Sequence, residues 1–259
     1  MEEIAPGYIL QRMHLRKRIS RWKQDGRSTF IEVGSGNGIN SQLFLSNGLK
    51  GVAFDLNPDS CAINQSRNQK FVDRGDFKVL HEDFLEAEGL DKVDIVFSSM
   101  VIEHLDEQQV NQYFEKCKAC LNPGGLIVSI VPANMKFWGI EDEIAGHYKR
   151  YTMKCFDRLA TIHHLQTVQQ VGLTYPLSNI LLKLSNRLVR HGEKKKLELG
   201  IDDRTRLSGN RKVKFKTHFP RYMKLILNEF TLYPFHLMQQ FFRTNSGAMV
   251  IHCEFQNGN

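Results

Sequence analysis

The chain has 259 residues, of which 41% are hydrophobic and 24% charged, and a formal net charge of +7 at pH 7. That composition excludes a disordered, collagen-like or coiled-coil chain, and the length suits one sizeable core. No apolar run approaches the ~20 residues of a membrane span. The sequence begins Met-Glu-Glu and then becomes basic, with no apolar signal stretch, so the expected compartment is the cytoplasm, with peripheral attachment to a membrane left open.

Residues 1–27 predict a lead-in helix with Ile9, Leu10, Met13 and Trp22 on its apolar face. Residues 30–33 are the first predicted strand, followed by the glycine turn Gly34-Ser35-Gly36-Asn37-Gly38. A short helix over 42–47, a strand over 51–55 and a helix starting near Pro58 follow. Strands are predicted at 77–81 and 93–98, a helix at 107–120, a turn at 122–125 and a strand at 126–131. Residues 132–150 read as a loop or lid. A helix over 151–163 and a strand over 165–173 come next, and residues 248–255 form the last strand. Strands alternating with helices imply right-handed crossovers and a largely parallel sheet, whose ligands bind at the carboxyl ends of the strands.

Residues 174–246 interrupt this rhythm as an insertion. It holds two amphipathic stretches, one with Leu177, Ile180, Leu181, Leu184 and Leu188, the other with Met223, Ile226, Leu227 and Phe230, broken at Pro234 and resuming with Phe235, Met238 and Phe242. Between them the charge is uneven: residues 190–224 carry twelve Lys and Arg against four Asp and Glu, a local net of +8 that accounts for the whole excess. Such a segment is either a solvated loop or a surface that meets phosphate, a sugar nucleotide, nucleic acid or an anionic lipid headgroup. The expected organisation is a lead-in at 1–27, a core at 28–173, the basic helical insertion at 174–246, and a final strand and tail at 247–259.

The five cysteines, at 61, 117, 120, 155 and 253, are odd in number and irregular in spacing, so no disulfide framework is expected. Cys117 and Cys120 form a C-x-x-C, but neither a redox context nor a second metal-binding pair accompanies them. They read as small hydrophobes at a helix end. No cluster at metal-ligand spacing is visible in the sequence, and no metal is expected.

A glycine turn directly after a strand lets a ligand approach the backbone and its N–H groups. Gly34 and Gly36 fit the dinucleotide fingerprint, but position 39 is Ile where a third glycine is wanted, which weakens a nicotinamide reading. Asp55 ends the second strand, where an acid accepts ribose hydroxyls or caps a helix. Asp83 and Phe84 follow the third strand, where a carboxylate receives an adenine amino group beside an aromatic ring, or simply makes a turn. Ser99 and Met100 close the fourth strand.

In order, the segments E-V-G-S-G-N-G, D-L, E-D-F, D-I-V-F-S-S-M-V-I-E-H-L and L-N-P-G-G resemble the class I S-adenosylmethionine-dependent methyltransferases. The resemblance covers about residues 28–131, with 165–173 and 248–255 similar to the family's last two strands. It implies a Rossmann-like, seven-stranded, mostly parallel α/β sheet and S-adenosyl-L-methionine as cofactor. By resemblance, Glu32, Gly34, Ser35 and Gly36 frame the cofactor's amino-acid end. Asp55 holds the ribose, Leu56 flanks the adenine, Asp83 and Phe84 complete the adenine pocket, and Ser99 and Met100 lie near the methionine part. Gly146-His147-Tyr148-Lys149-Arg150-Tyr151 is similar to a G-H-x-R-R-Y stretch of a narrower subgroup, with Lys149 in place of Arg. Residues 6–12 resemble that subgroup's lead-in helix.

Methyl transfer from a sulfonium is an in-line displacement, so positioning dominates and a protonated acceptor gains from a base. Candidates are His147, His104, Tyr151 and the trio Glu141, Asp142 and Glu143, with a fold-supporting role as the alternative for His104 and an exposed loop as the alternative for the trio. His147 is the first choice as base or acceptor clamp, or else it pins the lid. Arg150 is the candidate for holding an anionic acceptor. Tyr8 and Arg12 either close over the cofactor or pack the lead-in helix. The expected acceptor is an oxygen or nitrogen of a small molecule, glycan or lipid-linked compound, with the insertion as a cap whose apolar stripes pack inward, or as a surface-binding element. The alternatives are a nucleic-acid methyltransferase gripping phosphates through the insertion and a non-catalytic cofactor-binding protein. Against the first, the fourth strand lacks the N-P-P-Y type of ending that holds a flipped base.

Overall fold

The β-prone runs pair into one seven-stranded sheet in a computed structural model that describes residues 5–193, 200 and 219–257. Its strands are β1 (Thr29–Val33), β2 (Lys50–Asp55), β3 (Phe77–His81), β4 (Val93–Ser99), β5 (Leu121–Pro132), β6 (Leu165–Leu173) and β7 (Val250–Asn257), in the order β3-β2-β1-β4-β5-β7-β6. Only β7 runs against its neighbours β5 and β6; the other pairs are parallel. This is the Rossmann-like arrangement expected. β5 begins five residues earlier than predicted, because Leu121 already pairs with Val93 and the Asn122–Gly125 turn bends the strand without ending it.

Helices cover both faces: α1 (Pro6–Gln24), α2 (Ile39–Ser46), α3 (Pro58–Arg67), α4 (Gln69–Val72), α5 (Glu107–Ala119), α6 (Ile140–Ala145), α7 (Met153–Ile162), α8 (Leu177–Glu193) and α9 (Glu229–Phe241). Local chemistry marks their starts. Asn57 caps α3 by accepting from the N–H groups of Asp59 and Ser60, with Pro58 at the first helical position. Asp106 and Gln109 form a reciprocal capping box on α5. The predicted loop at 132–150 instead contains a short turn of 3₁₀ helix, Met135–Phe137, and α6, whose N-terminal Gly139 N–H donates to Asp142.

The sheet buries an apolar layer on each face. One contains Ile31, Val96, Phe114, Tyr151 and Phe255, the other Phe30, Phe44, Phe97 and Val128. Trp22 and Ile19 of α1 join the second layer. Their helix is pinned to β7 by a buried charge cluster. Arg18 donates through Nε and Nη2 to both oxygens of Glu254 at 2.5 and 2.7 Å, Trp22 Nε1 donates to the same carboxylate at 3.1 Å, and His252 Nε2 lies 2.7 Å from it. Burial alone would raise the Glu254 carboxyl, but the bonds from His252 and Arg18 outweigh it and hold the group down at about 2.

The lead-in helix also meets the insertion. Ile9 and Leu10 pack with Leu177, Phe219 and Leu232 in a third, smaller core. Two expectations for the insertion are corrected. Pro234 does not break the second stretch, because α9 continues through it, held on α1 by buried Leu232, His236 and Gln239, whose amide donates to the Leu10 carbonyl. Nor do the apolar stripes all pack inward: Phe230 is 89% exposed, Ile180, Leu184 and Ile226 also face outward, and Leu225 and Phe241, outside the stripes, are exposed as well. Nine of the twelve basic positions fall within residues 194–199 and 201–218, outside the described residues. Among the described residues, no helix is long and apolar enough to cross a membrane. Cys117 and Cys120 are buried at the end of α5, free like the other three cysteines.

Candidate active site

The strand order reverses between β1 and β4, and a cavity of about 1600 Å³ opens at their carboxyl ends. Single-ligand pockets run to roughly 300–1,000 Å³, so this one has room for two molecules side by side. Its lining begins at Gly34, Ser35 and Gly36, passes Asp55, Leu56, Asp83 and Phe84, then Ser99 and Met100, and reaches Glu103, His104 and His147. Leu181, Leu188, Phe219 and Met223 of the insertion line it as well, as do Tyr8 and Arg12 of α1.

The glycine turn adopts backbone that side chains resist. Gly34 and Gly36 sit at φ +66° and +52°, in the left-handed region. A Cβ on Gly34 would stand 2.5 Å from Val101 Cγ2, whereas one on Gly36 would meet nothing within 4 Å among the described residues. Gly36 thus offers its backbone to open space in the cavity, a cradle that a side chain would fill. Its N–H donates to Asp55 Oδ2 at 2.7 Å, and Asn57 N–H donates to Oδ1 at 2.9 Å. Burial raises the Asp55 carboxyl, against the pull of those two backbone bonds. Each oxygen still has a lone pair for a hydroxyl donor.

Several expected residues take other roles. Glu32 does not reach the cavity: it is buried behind the turn, where Ser41 Oγ donates to it, and desolvation pushes its carboxyl up to about 8. It braces α2 against β1 and supports the loop from beneath. Asn64 completes this brace by donating to Ser35 Oγ at 2.9 Å and Ser41 Oγ at 3.2 Å. Asp83 makes a turn, accepting from Leu85 N–H at 2.9 Å, while remaining on the cavity wall. Phe84 lines the floor with its ring held edge-on to Phe54 in the core. Leu56 is exposed at the mouth, and Met100 occupies left-handed backbone at φ 57°, fixed by its N–H to the Ile130 carbonyl.

The acceptor-side candidates divide similarly. Tyr151 is wholly buried and donates its hydroxyl to the Ile102 carbonyl at 2.9 Å, so it is a packing residue and not a base. Arg150 lines the cavity but is not free to clamp an anion. Its Nε and Nη2 donate to Asp142 Oδ1 and Oδ2 at 2.8 and 3.0 Å, and Nη1 to the Ala133 carbonyl. The acidic trio separates: Glu143 is exposed, Glu141 reaches the cavity wall, and Asp142 is wholly buried. Asp142 also receives His147 Nδ1 at 2.8 Å. Burial opposes its ionisation, yet the bonds from His147 and Arg150 win and keep it below the usual carboxylate range.

His147 therefore points Nδ1 at a carboxylate and Nε2 the other way, 4.0 Å from Glu103 Oε1. His104 packs edge-on to His147 with ring centroids 4.7 Å apart. Burial, reinforced by His147, pushes His104 down to about 3, so its imidazole is neutral. Glu103 is 0% exposed and, among the described residues, neither carboxylate oxygen has a hydrogen-bond partner; desolvation pushes it up to about 7. Sequence reasoning missed Glu103 and did not separate Asp142 from its neighbours. The available signal was an acid inside the apolar run Val101-Ile102-Glu103.

The profile of a protein family described as "Methyltransferase domain" matches residues 5–171. Three solved structures illustrate the likeness in fold. The N-methyltransferase NodS from Bradyrhizobium japonicum, in complex with S-adenosyl-L-homocysteine, is 12% identical with a TM-score of 0.55, over 95% of this chain and 87% of that one. A putative sarcosine dimethylglycine methyltransferase from Galdieria sulphuraria is 16% identical with a TM-score of 0.56, over 95% and 86%. Magnesium protoporphyrin IX methyltransferase from Synechocystis, with bound S-adenosyl-L-homocysteine, is 11% identical with a TM-score of 0.54, over 65% and 79%. No curated protein sequence matches significantly.

Proposed function

The chain belongs to the methyltransferase-domain family, and on that premise we propose that it transfers the methyl group of S-adenosyl-L-methionine to an oxygen or nitrogen of a small-molecule, glycan or lipid-linked acceptor. The observation that carries this reading is the continuous cavity, large enough for two ligands, running from the Gly34–Gly36 cradle past Ser99 and Met100 to a buried polar wall. When bound, S-adenosyl-L-methionine supplies an electrophilic methyl on a sulfonium sulfur. Gly36 lets the cofactor approach the backbone, Asp55 accepts from the ribose hydroxyls, and Leu56 and Phe84 flank the adenine. Positioning of this kind is worth roughly 7–11 kcal/mol of barrier. On the acceptor side, Asp142 orients His147 so that Nε2 accepts a proton from a hydroxyl or amine. Leu181, Leu188, Phe219 and Met223 form an apolar roof for the acceptor.

A lipid-linked acceptor is the variant that one further observation favours: Leu225, Phe230 and Phe241 are exposed, in an insertion whose sequence is strongly basic, a combination that suits an anionic membrane surface. The test uses radiolabelled S-adenosyl-L-methionine with pooled acceptors, alongside thermal unfolding with S-adenosyl-L-homocysteine and flotation with anionic vesicles. Protection by the homocysteine product is expected, since a ligand of the native state raises Tm. Absence of that protection sinks the cofactor assignment. Flotation without vesicle charge dependence removes the lipid-linked variant.

A further inference from the structure

Glu103, His104 and His147 meet on the cavity wall although 43 residues separate the pair from His147. Each offers one ligand atom, and these atoms lie within 4.8 Å of one another. We infer that this cluster is a binding site for a divalent transition-metal ion, held by one carboxylate and two imidazoles.

Several independent features converge on this assignment. The Glu103 carboxylate is fully buried and neither oxygen has a hydrogen-bond partner among the described residues, an unfavourable arrangement unless a cation or donor completes it. His104 Nδ1 is likewise buried and unpartnered. The neighbouring buried carboxylate does not compete for a cation, because Asp142 is already matched by Arg150.

The outer contacts fit as well. A ligating histidine usually gives its second nitrogen to a carboxylate or a carbonyl, which fixes ring and tautomer. His147 Nδ1 is 2.8 Å from Asp142, itself locked by Arg150, leaving Nε2 for the ion. His104 shares a hydrogen bond with the Gly146 backbone, and its Nδ1 has no hydrogen-bond partner among the described residues. The 4.0 Å between His147 Nε2 and Glu103 Oε1 is too long for a hydrogen bond. Donors about 2.1 Å from a common ion lie about 3–3.5 Å apart, so side-chain shifts of about 1 Å would close the site. One carboxylate and two imidazoles suit zinc, cobalt, manganese or ferrous iron, with positions left open to the cavity. The ion's role rests on the methyl-transfer reading above: it would hold an acceptor oxygen and favour its deprotonated form, the proton leaving to solvent, in place of His147 acting as base.

The test is Co²⁺ titration of the tag-free, chelator-treated full chain, followed by visible absorption and calorimetry. The expected result is one ion per chain. Glu103→Gln and His147→Gln each weaken binding at least tenfold, and Asp142→Asn weakens it about 10–100-fold. S-adenosyl-L-homocysteine should still raise the Tm of every variant, which separates lost ligands from lost fold. Absence of Co²⁺, Zn²⁺ and Mn²⁺ binding overturns the site, and so does binding that the variants leave unchanged. An intense near-ultraviolet thiolate band would place the ion at exposed Cys155 and overturn it too. Failure of the homocysteine product to protect the wild type would instead refute the methyl-transfer reading, with the cobalt isotherm still judging the site.

Discussion

Replacing Gly36 with alanine adds one methyl to a backbone at φ +52° where no atom stands within 4 Å of the new Cβ. The folded protein then bears only the left-handed penalty of an L-residue, about 1–2 kcal/mol. For a domain of this size that lowers Tm by about 2–8 °C. The same change at Gly34, at φ +66°, adds a 2.5 Å encounter with Val101 Cγ2, an overpacking cost of about 1–3 kcal/mol more. The two variants should part in the opposite sense on ligand binding. The Gly36 methyl points into cavity space that the cofactor needs, so affinity for S-adenosyl-L-homocysteine should fall at least tenfold, about 1.4 kcal/mol, by calorimetry. Thermal unfolding with and without the ligand completes the comparison. A Gly36→Ala protein that binds the product as tightly as wild type would refute the cradle, and equal stability of both variants would refute the account of Gly34.

Arg150→Lys should destabilise the chain by about 3–5 kcal/mol in urea, because it strips a buried carboxylate of its two-pronged partner; a raised KM with unchanged stability would restore Arg150 as an acceptor clamp. Glu254, with its folded value lowered to about 2, contributes stability that is fully present above its ordinary value of 4.5 and is lost as pH falls toward 2. That contribution is roughly 3 kcal/mol, and urea unfolding between pH 3 and 6 should show a shallower pH dependence in Glu254→Gln; parallel curves would count against it. Asp55→Ala should weaken binding of S-adenosyl-L-homocysteine at least tenfold by calorimetry, yet cost little for a 2′,3′-dideoxy analogue. Equal losses for the two ligands would remove Asp55 from the ribose.

The strands were legible because their signals are local. Residues 77–81 and 165–173 carry β-prone runs bounded by turns, and the structure pairs those same spans. The glycine turn after β1 was legible for the same reason, since only glycine suits its backbone. Helix ends were less clear where tertiary contacts override local rules. Pro234 looks like a break in the sequence, but α9 passes through it because one face is anchored on α1. The acceptor side was the least legible part. Arg150, Tyr151 and His147 are neighbours in one polar stretch and all read as acceptor-side candidates, but Asp142 takes up the Arg150 guanidinium, Ile102 takes up the Tyr151 hydroxyl, and His147 is left with Nε2 uncommitted.

The sequence by itself determined the alternation of strands and helices, the positions of Gly34, Gly36 and Asp55, and the methyltransferase resemblance, because periodicity, turn chemistry and motif order are properties of neighbouring residues. Tertiary structure alone decided which polar groups are spent and which remain available. Glu32 was turned beneath the loop, Arg150 was committed to Asp142, and Glu103 was left buried without a partner beside two histidines. Those outcomes depend on desolvation and on hydrogen bonds between segments far apart in the chain, and neither quantity exists until the sheet has brought the segments together.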